Sequence, residues 1–426
     1  MFVLLPVIVI RASHGGEHHH AAEAASPRVS DVRWVVPSSG LPAEVTPMPA
    51  NNNVAIERFD GRLYMAWRSA PTHFASASAK LFVTSSGDEG RTWKLERAIE
   101  RGTDVREPHF VVMNDRIVLY FMELGASAVA FEPRQALRTW KSAGGPWAGI
   151  EPAPLPERMM IWEIKTHAGT AWMTAYKGNH YSADNEPGID VYFKKSADGL
   201  SWEDVDAEHP VVYRGGVSEV AFEFDAEGNL WGVTRNEDGD ATGFGSHVVF
   251  AEAQTLGKWQ LPAKSAPFRY DSPRMFRQGE EIYLVARRNV RSTGDGDFDD
   301  APFDTLGDSD DFLPLSLRRA HRIVTYSTRP KKTSIYKIDR AARAVVWQKD
   351  LPSASDTAFA SIVESGPGRF LIANYSNPVE GGGFDWAPDS AAIPEACKRT
   401  ERWSWIRGQT SSACGTRIYL ATVSFP

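Results

Sequence analysis

Residues 85–93 read SSGDEGRTW, and residues 195–202 repeat much of that stretch as KSADGLSW. The shared letters are Ser86, Asp88, Gly90, Thr92 and Trp93, then Ser196, Asp198, Gly199, Ser201 and Trp202 in a copy one residue tighter. Both copies follow β-rich runs, AKLFVTS (79–85) and IDVYFKKS (189–196). An aspartate in such a turn can accept backbone N–H bonds, glycine supplies a positive φ, and the hydroxyl closes a local hydrogen bond. The tryptophan then opens the next strand and packs under the hairpin. No single reaction needs this set twice, so the repeat is a statement about architecture.

Working outward, six segments share one form, an apolar strand, a tight turn and a second apolar strand. They are NVAIERFDGRLYMAWR (53–68), EPHFVVMNDRIVLYFM (107–122), WEIKTHAGTAWMTAYK (162–177), EVAFEFDAEGNLWGVTR (219–235), SPRMFRQGEEIYLVAR (272–287) and AFASIVESGPGRFLIANY (358–375). They recur roughly every 50 to 60 residues, with one longer step, which is the period of a β-propeller. Degenerate outer hairpins ending at Trp140, Trp259 and Trp347 fit between them. The strands VRWVVPSS (32–39) and TRIYLATVSF (416–425) lack local partners; pairing them would close the ring and leave no exposed sheet edge. The expectation is an all-β, six-bladed β-propeller, its ring closed by the N- and C-terminal strands. A leader over 1–28 precedes a single domain over 29–426. The long step holds an acidic insertion, 291–328, expected to be either a solvated loop or, through oxygen ligands, a Ca²⁺ site.

The remaining composition narrows the partners. Hydrophobic residues make up 42% of the chain and charged ones 24%, as in ordinary globular proteins. A net charge of −7 without a basic run supplies no footprint for nucleic acid. No apolar run reaches the ~20 residues that span a bilayer. FVLLPVIVI (2–10) has the length of a signal-peptide core, so a secreted or periplasmic protein is expected, although no basic segment precedes it. Cys397 and Cys414 then form one disulfide or remain two thiols. His18, His19 and His20 read as part of the leader or as a metal-binding tract. Apart from the Ca²⁺ alternative, no cofactor is expected.

Propeller geometry converts these segments into a site. The start of each innermost strand and the end of the second lie on the same face. Second strands therefore bring Arg68, Lys177, Arg235, Arg287 and Tyr375 to one rim. First strands bring Asn53, Arg106 with Glu107, Trp162 with Glu163, Glu219, Asp271 with Arg274, and Asp356. Converging guanidinium and ammonium groups suit a polar, anionic ligand, because arginine grips a carboxylate with two parallel bonds. Crowded acids suit acid–base work. The alternative is that these charges pair with one another and merely hold the blades in register. Two polar loops, 177–188 and 235–247, also reach the mouth side.

The repeated turns resemble the Asp box of sialidases and related β-propellers, where it marks the outer hairpin of a blade. SEVAFEFDAEGNLWGVTR (218–235) resembles the sialidase segment carrying the glutamate that partners the nucleophile and an arginine of the carboxylate-binding triad. The resemblance implies those roles for Glu219 and Arg235, and a further triad role for Arg68 at the end of LYMAWR. Arg287 or a cation of TRPKK (328–332) would complete the triad. The chain departs from the family at two points. The loop SAPTHFASASAK (69–80) offers His73 where the family carries an acid/base aspartate, and SDTAFAS (355–361) has no tyrosine where the family carries its nucleophile. Tyr375 lies at the other end of that hairpin.

Most glycosidases need only two carboxyl groups. REPHF (106–110) and YDSPRMF (270–276) resemble the inner-strand starts of other propeller glycosidases. The expected function is a sialidase-like glycoside hydrolase with Glu219 paired to Glu107 or Asp271, and His73 and Tyr375 as further catalytic candidates. Arg68, Arg106, Glu163, Lys177, Arg235, Arg274, Arg287 and Asp356 would hold a carbohydrate substrate. The alternative is a carbohydrate-binding or interaction propeller without turnover.

Overall fold

A computed structural model describes residues 26–181, 188–292, 298–301, 311–378 and 415–426. Residues 1–25 of the leader expected over 1–28, Cys397 and Cys414, and part of the acidic insertion lie outside these residues, and the disulfide and calcium expectations lie there with them.

Six antiparallel sheets follow one another along the chain. The first blade is Ala50–Phe59, Arg62–Ala70, Lys80–Ser86 and Lys94–Glu100, each strand pairing with the next. The same order recurs in the second blade, whose inner hairpin is Asp104–Met113 and Arg116–Leu124, and in the third, Met160–His167 and Thr170–Gly178. It recurs again in the fifth, Asp271–Gln278 and Glu281–Ser292. The fourth blade, built on Val217–Phe224 and Leu230–Asp240, is degenerate: the outer hairpin expected near Trp259 is reduced to an isolated bridge between Phe250 and Gln260.

The sixth blade closes the ring. Arg417–Ser424 pairs on one side with Arg369–Ser376 and on the other with Arg28–Val36. Val35 and Val36 are buried in the cluster shared with the first blade. A chain lacking residues 26–36 is therefore expected to lose about 3 kcal/mol or more from those two valines alone. It would also expose the edge of Arg417–Ser424 and aggregate on warming. Urea denaturation with light scattering checks both.

Second strands read as unbroken apolar runs because both of their faces are covered. Leu63, Met65 and Trp67 pack toward the sixth blade, while Tyr64 and Ala66 pack toward the second. This is the period-2 alternation of a strand between two neighbours. Similar clusters fill the other interfaces, for example Phe276, Tyr283 and Val285 against Phe370, Ile372 and Val423 between the fifth and sixth blades.

The two repeated turns are built alike. Ser86 Oγ accepts the Gly90 N–H at 2.8 Å, and Asp88 Oδ1 accepts the N–H groups of Arg91 and Thr92 at 3.1 and 2.9 Å. Ser196 and Asp198 repeat this with Gly199, Leu200 and Ser201. Gly90 has φ +78, and a Cβ there would lie 2.5 Å from Leu420 Cδ1. Trp93 is buried, and Trp202 donates to Tyr120 Oη at 3.0 Å.

All six innermost strands carry a β-bulge near the same end. Register shifts fall between Asn52 and Ala55, Arg106 and His109, Ile161 and Glu163, Val217 and Val220, Asp271 and Arg274, and Ala358 and Ser361. Asn53, Glu107, Ser272 and Phe359 within them have positive φ, between 48° and 54°. An extra residue re-aims a side chain that the regular pleat would send elsewhere.

The insertion differs from a solvated loop. Its described part contains the helix Leu315–Thr328, bounded by Pro314 and by the extended Arg329 before Pro330. The helix is tied to the propeller. Arg319 Nε donates to the Asp238 carbonyl at 3.0 Å, and the Arg322 guanidinium lies 4.4 Å from the Phe244 ring centre. Tyr326 thereby enters the charged end of the channel.

Candidate functional site

The bulged ends of the inner strands and the last residues of the second strands meet in one connected network. Arg68 lies at 0% exposure, and all five of its N–H groups are engaged within the protein. Nε and Nη2 donate to Asp104 Oδ1 at 3.0 and 2.7 Å, Nη1 to Asn52 Oδ1 and the Thr72 carbonyl, and Nη2 also to the Phe74 carbonyl at 2.7 Å. Burial pulls its guanidinium down to about 10 despite Asp104. Arg68, expected to grip a ligand, here braces the loop that carries His73. Arg106 pairs with the other oxygen of Asp104 and donates to the His73 carbonyl at 3.4 Å.

His73 Nδ1 sits 2.9 Å from Asp356 Oδ2, and Tyr375 Oη donates to Asp356 Oδ1 at 3.2 Å. Burial lowers the imidazole below its usual value against the pull of Asp356, and raises the Tyr375 phenol well above its own. Next to Asp356, the Thr357 carbonyl accepts from Arg287 Nη1 at 3.3 Å. Arg287 Nη2 reaches Asp271 Oδ2 at 3.2 Å.

Asp271 is the hub of the other half. Besides Arg287 it pairs with Arg269, accepts the Tyr326 hydroxyl, and lies 3.5 Å from Arg235 Nε. Burial would raise its carboxyl, but the surrounding guanidiniums hold it well below the ordinary carboxylate range. Arg235 binds Glu219 through Nη1 and Glu237 through Nη2, and donates to Tyr181 Oη at 2.8 Å. The other Glu219 oxygen accepts the Ser272 N–H at 2.7 Å.

Glu107 stands apart. It is 8% exposed, it has no ion-pair partner among the described residues, and its Oε2 is buried without a hydrogen-bond partner. Burial pushes its carboxyl up to about 7; Arg106 opposes this and the charge of Glu219 adds to it. Arg274 lies 4.6 Å from the Trp162 ring centre and donates to the Trp162 carbonyl at 2.5 Å. Glu163 lies deeper on its strand, accepting the Phe222 N–H at 2.8 Å, with Lys165 Nζ 3.6 Å away.

Lys177 is half-buried, and among the described residues it forms no part of this network. The third blade pairs Met160 with Tyr176, so the alternation of the strand turns Tyr176 inward and Lys177 away. The Tyr176 phenol is raised well above its usual value by burial and by Glu107 and Glu219.

Sequence reasoning missed Asp104, Glu237, Arg269 and Tyr326. Three of these carried a readable signal. Asp104 with Arg106, Arg235 with Glu237 and Arg269 with Asp271 are opposite charges two residues apart, which an extended chain places on one face. Tyr326 carried none, since nothing in the insertion ties its helix to the mouth. Among the described residues, no cluster of three or more His, Cys, Asp or Glu side chains is arranged to hold a metal ion, and no helix is long and apolar enough to cross a membrane.

These features define a six-bladed β-propeller with a densely charged channel mouth. Its fold is sialidase-like. A protein of unknown function from Dyadobacter fermentans DSM 18053 superposes with a TM-score of 0.58 at 11% identity, covering 94% of this chain and 100% of that one. The Trypanosoma rangeli sialidase gives 0.56 at 10% identity over 93% of this chain and 59% of its own, and the phage phi92 endosialidase 0.52 at 11% over 90% and 68%. No protein-family model and no curated protein matches the sequence.

Proposed function

We propose that the protein is a glycoside hydrolase acting on an anionic carbohydrate at the channel mouth, with Glu107 as proton donor and Glu219 as its partner carboxylate. One observation carries the reading. Of the five acids expected at the mouth, Glu163, Glu219, Asp271 and Asp356 each face a cationic or imidazole partner, and Glu107 does not. A carboxyl left unpaired in a buried place, near half-protonation at neutral pH, suits donating a proton to a leaving glycosidic oxygen. Glu219, fixed by Arg235 and the Ser272 N–H, would act as the nucleophile or would activate water. Arg235 and Arg287 would compensate negative charge on the substrate. The likeness to sialidases supports the substrate class, and the absence of the family tyrosine from its usual position is why two carboxyl groups are given the chemistry.

The same network favours a second reading on a specific ground: four of the five acids already have a cationic or imidazole partner within the protein, as in a site that binds without turnover. A panel of neutral and acidic aryl glycosides separates the two. Under the first reading, at least one acidic glycoside is cleaved, and kcat falls as pH rises through about 7 and Glu107 loses its proton. Binding without cleavage across the panel would favour the second.

A further inference from the structure

The channel has a far end. Beyond the bulges, all six inner hairpins line a cavity of about 400 Å³ opposite the mouth, within the size range of small-molecule sites. We propose that this cavity binds a neutral, polyhydroxylated molecule of monosaccharide size.

Some of its polar groups are already satisfied. Lys165 Nζ holds Glu223 at 2.9 Å and donates to the Met275 carbonyl, and Glu223 also accepts the Phe224 N–H at 2.9 Å. Others are not. His109 is 6% exposed, and its Nε2 has no hydrogen-bond partner. Burial and the neighbouring Arg274 push this imidazole well below its usual value, so it is neutral. A neutral imidazole nitrogen either donates or accepts, and Nε2 has neither kind of partner. Glu57 uses one oxygen for the Arg58 N–H at 2.8 Å, and burial pushes its carboxyl up to about 7. The unmade bond at buried His109 Nε2 is expensive to leave, which is what a ligand hydroxyl would repair, whereas Glu57 is half-buried and leaves no such orphan.

Charge selects the class. The acids Glu57, Glu163, Glu223 and Glu364 face Lys165, Arg274 and Arg277 around the cavity, so with Glu57 near half-protonation the wall is close to balanced. An ion of either sign would enter without a matching countercharge. A hydroxyl both donates and accepts, so it can satisfy His109 and Glu57 on one side and Arg274 on the other. Phe110, Phe276 and Phe370 supply apolar surface against which the C–H faces of a sugar or cyclitol can lie.

The test uses the intact protein with glucose, galactose and myo-inositol as probes, and methylammonium and acetate as ionic controls. Binding is followed by saturation-transfer NMR and calorimetry. At least one polyol is expected to bind in preference to either ion, with affinity about tenfold weaker in His109→Phe and in Glu57→Gln. Glu219→Gln is expected to leave this binding unchanged, which separates the far end from the mouth. The proposal is overturned if no polyol binds, if an ion binds in preference, or if binding is lost in Glu219→Gln yet kept in both far-end variants. Should His109→Phe fail to fold, Glu57→Gln decides alone, because glutamine keeps the acceptor for the Arg58 N–H.

Discussion

Glu107→Gln is expected to lower kcat on a cleaved glycoside by on the order of 10² to 10⁴-fold, the usual contribution of a positioned proton donor. The urea midpoint should hardly move. Glutamine has nearly the shape of glutamate, and no ion pair among the described residues is lost with the charge. The two readouts together matter: a fall in both would describe a folding defect, and a fall in kcat alone would describe chemistry. The alkaline limb of the pH profile should vanish in the same variant, because the group responsible can no longer titrate. A variant that cleaves as fast as wild type would remove Glu107 from the reaction and leave the carboxylate pair without its acid.

The largest effect on stability is expected at Asp271. Asp271→Ala leaves Arg235, Arg269 and Arg287 converging on a buried space with their shared counter-ion gone. Breaking one side of a buried pair typically costs about 3 to 5 kcal/mol, because the partner charges stay desolvated. Equilibrium denaturation reads this directly, and a double-mutant cycle with Arg287→Met should recover part of the loss. The dependence on pH has a definite sign. The folded carboxyl is held below its unfolded value of about 3.9, so its contribution is complete above that value and is lost as pH falls toward the folded one. Wild type should therefore lose stability on acidification below about pH 4 more steeply than the alanine variant. Parallel acid-unfolding curves would contradict the role given to Asp271.

Much of this architecture was legible in the letters. Unbroken apolar runs such as LYMAWR and IVLYFM specify strands covered on both faces, and the spacing of their hairpins specifies the ring. The closure by Arg28–Val36 against Arg417–Ser424 could be read because each strand lacked any other partner. The site was legible only to within one residue. A strand alternates faces at every step, so a single bulge inverts inside and outside, and bulges leave little trace in composition. Lys177 shows the same sensitivity to one step, since it follows Tyr176 on a regular strand whose alternation turns Tyr176 inward. Arg68 shows a different limit. Its position was placed correctly, but the sequence does not say which of a buried arginine's five donors the surrounding loop will claim. Tyr326 shows a third, since the contact between a long insertion and the mouth is set by tertiary packing and not by local pattern.

The six bulges give the molecule a selector ring. Asn53, Glu107, Trp162, Glu219, Ser272 and Phe359 lie within them, flanked by ladders that keep their own pairings. Exchanging one letter of that ring alters what faces the axis while the blade behind it stays intact. Left-handed backbone at a residue other than glycine or asparagine carries a penalty of about 1 to 3 kcal/mol, and three ring members, Glu107, Ser272 and Phe359, bear it. Glycine or asparagine at position 107 or 359 would relieve that tension, so a lineage released from its present chemistry should drift toward those letters and grow sturdier as it does.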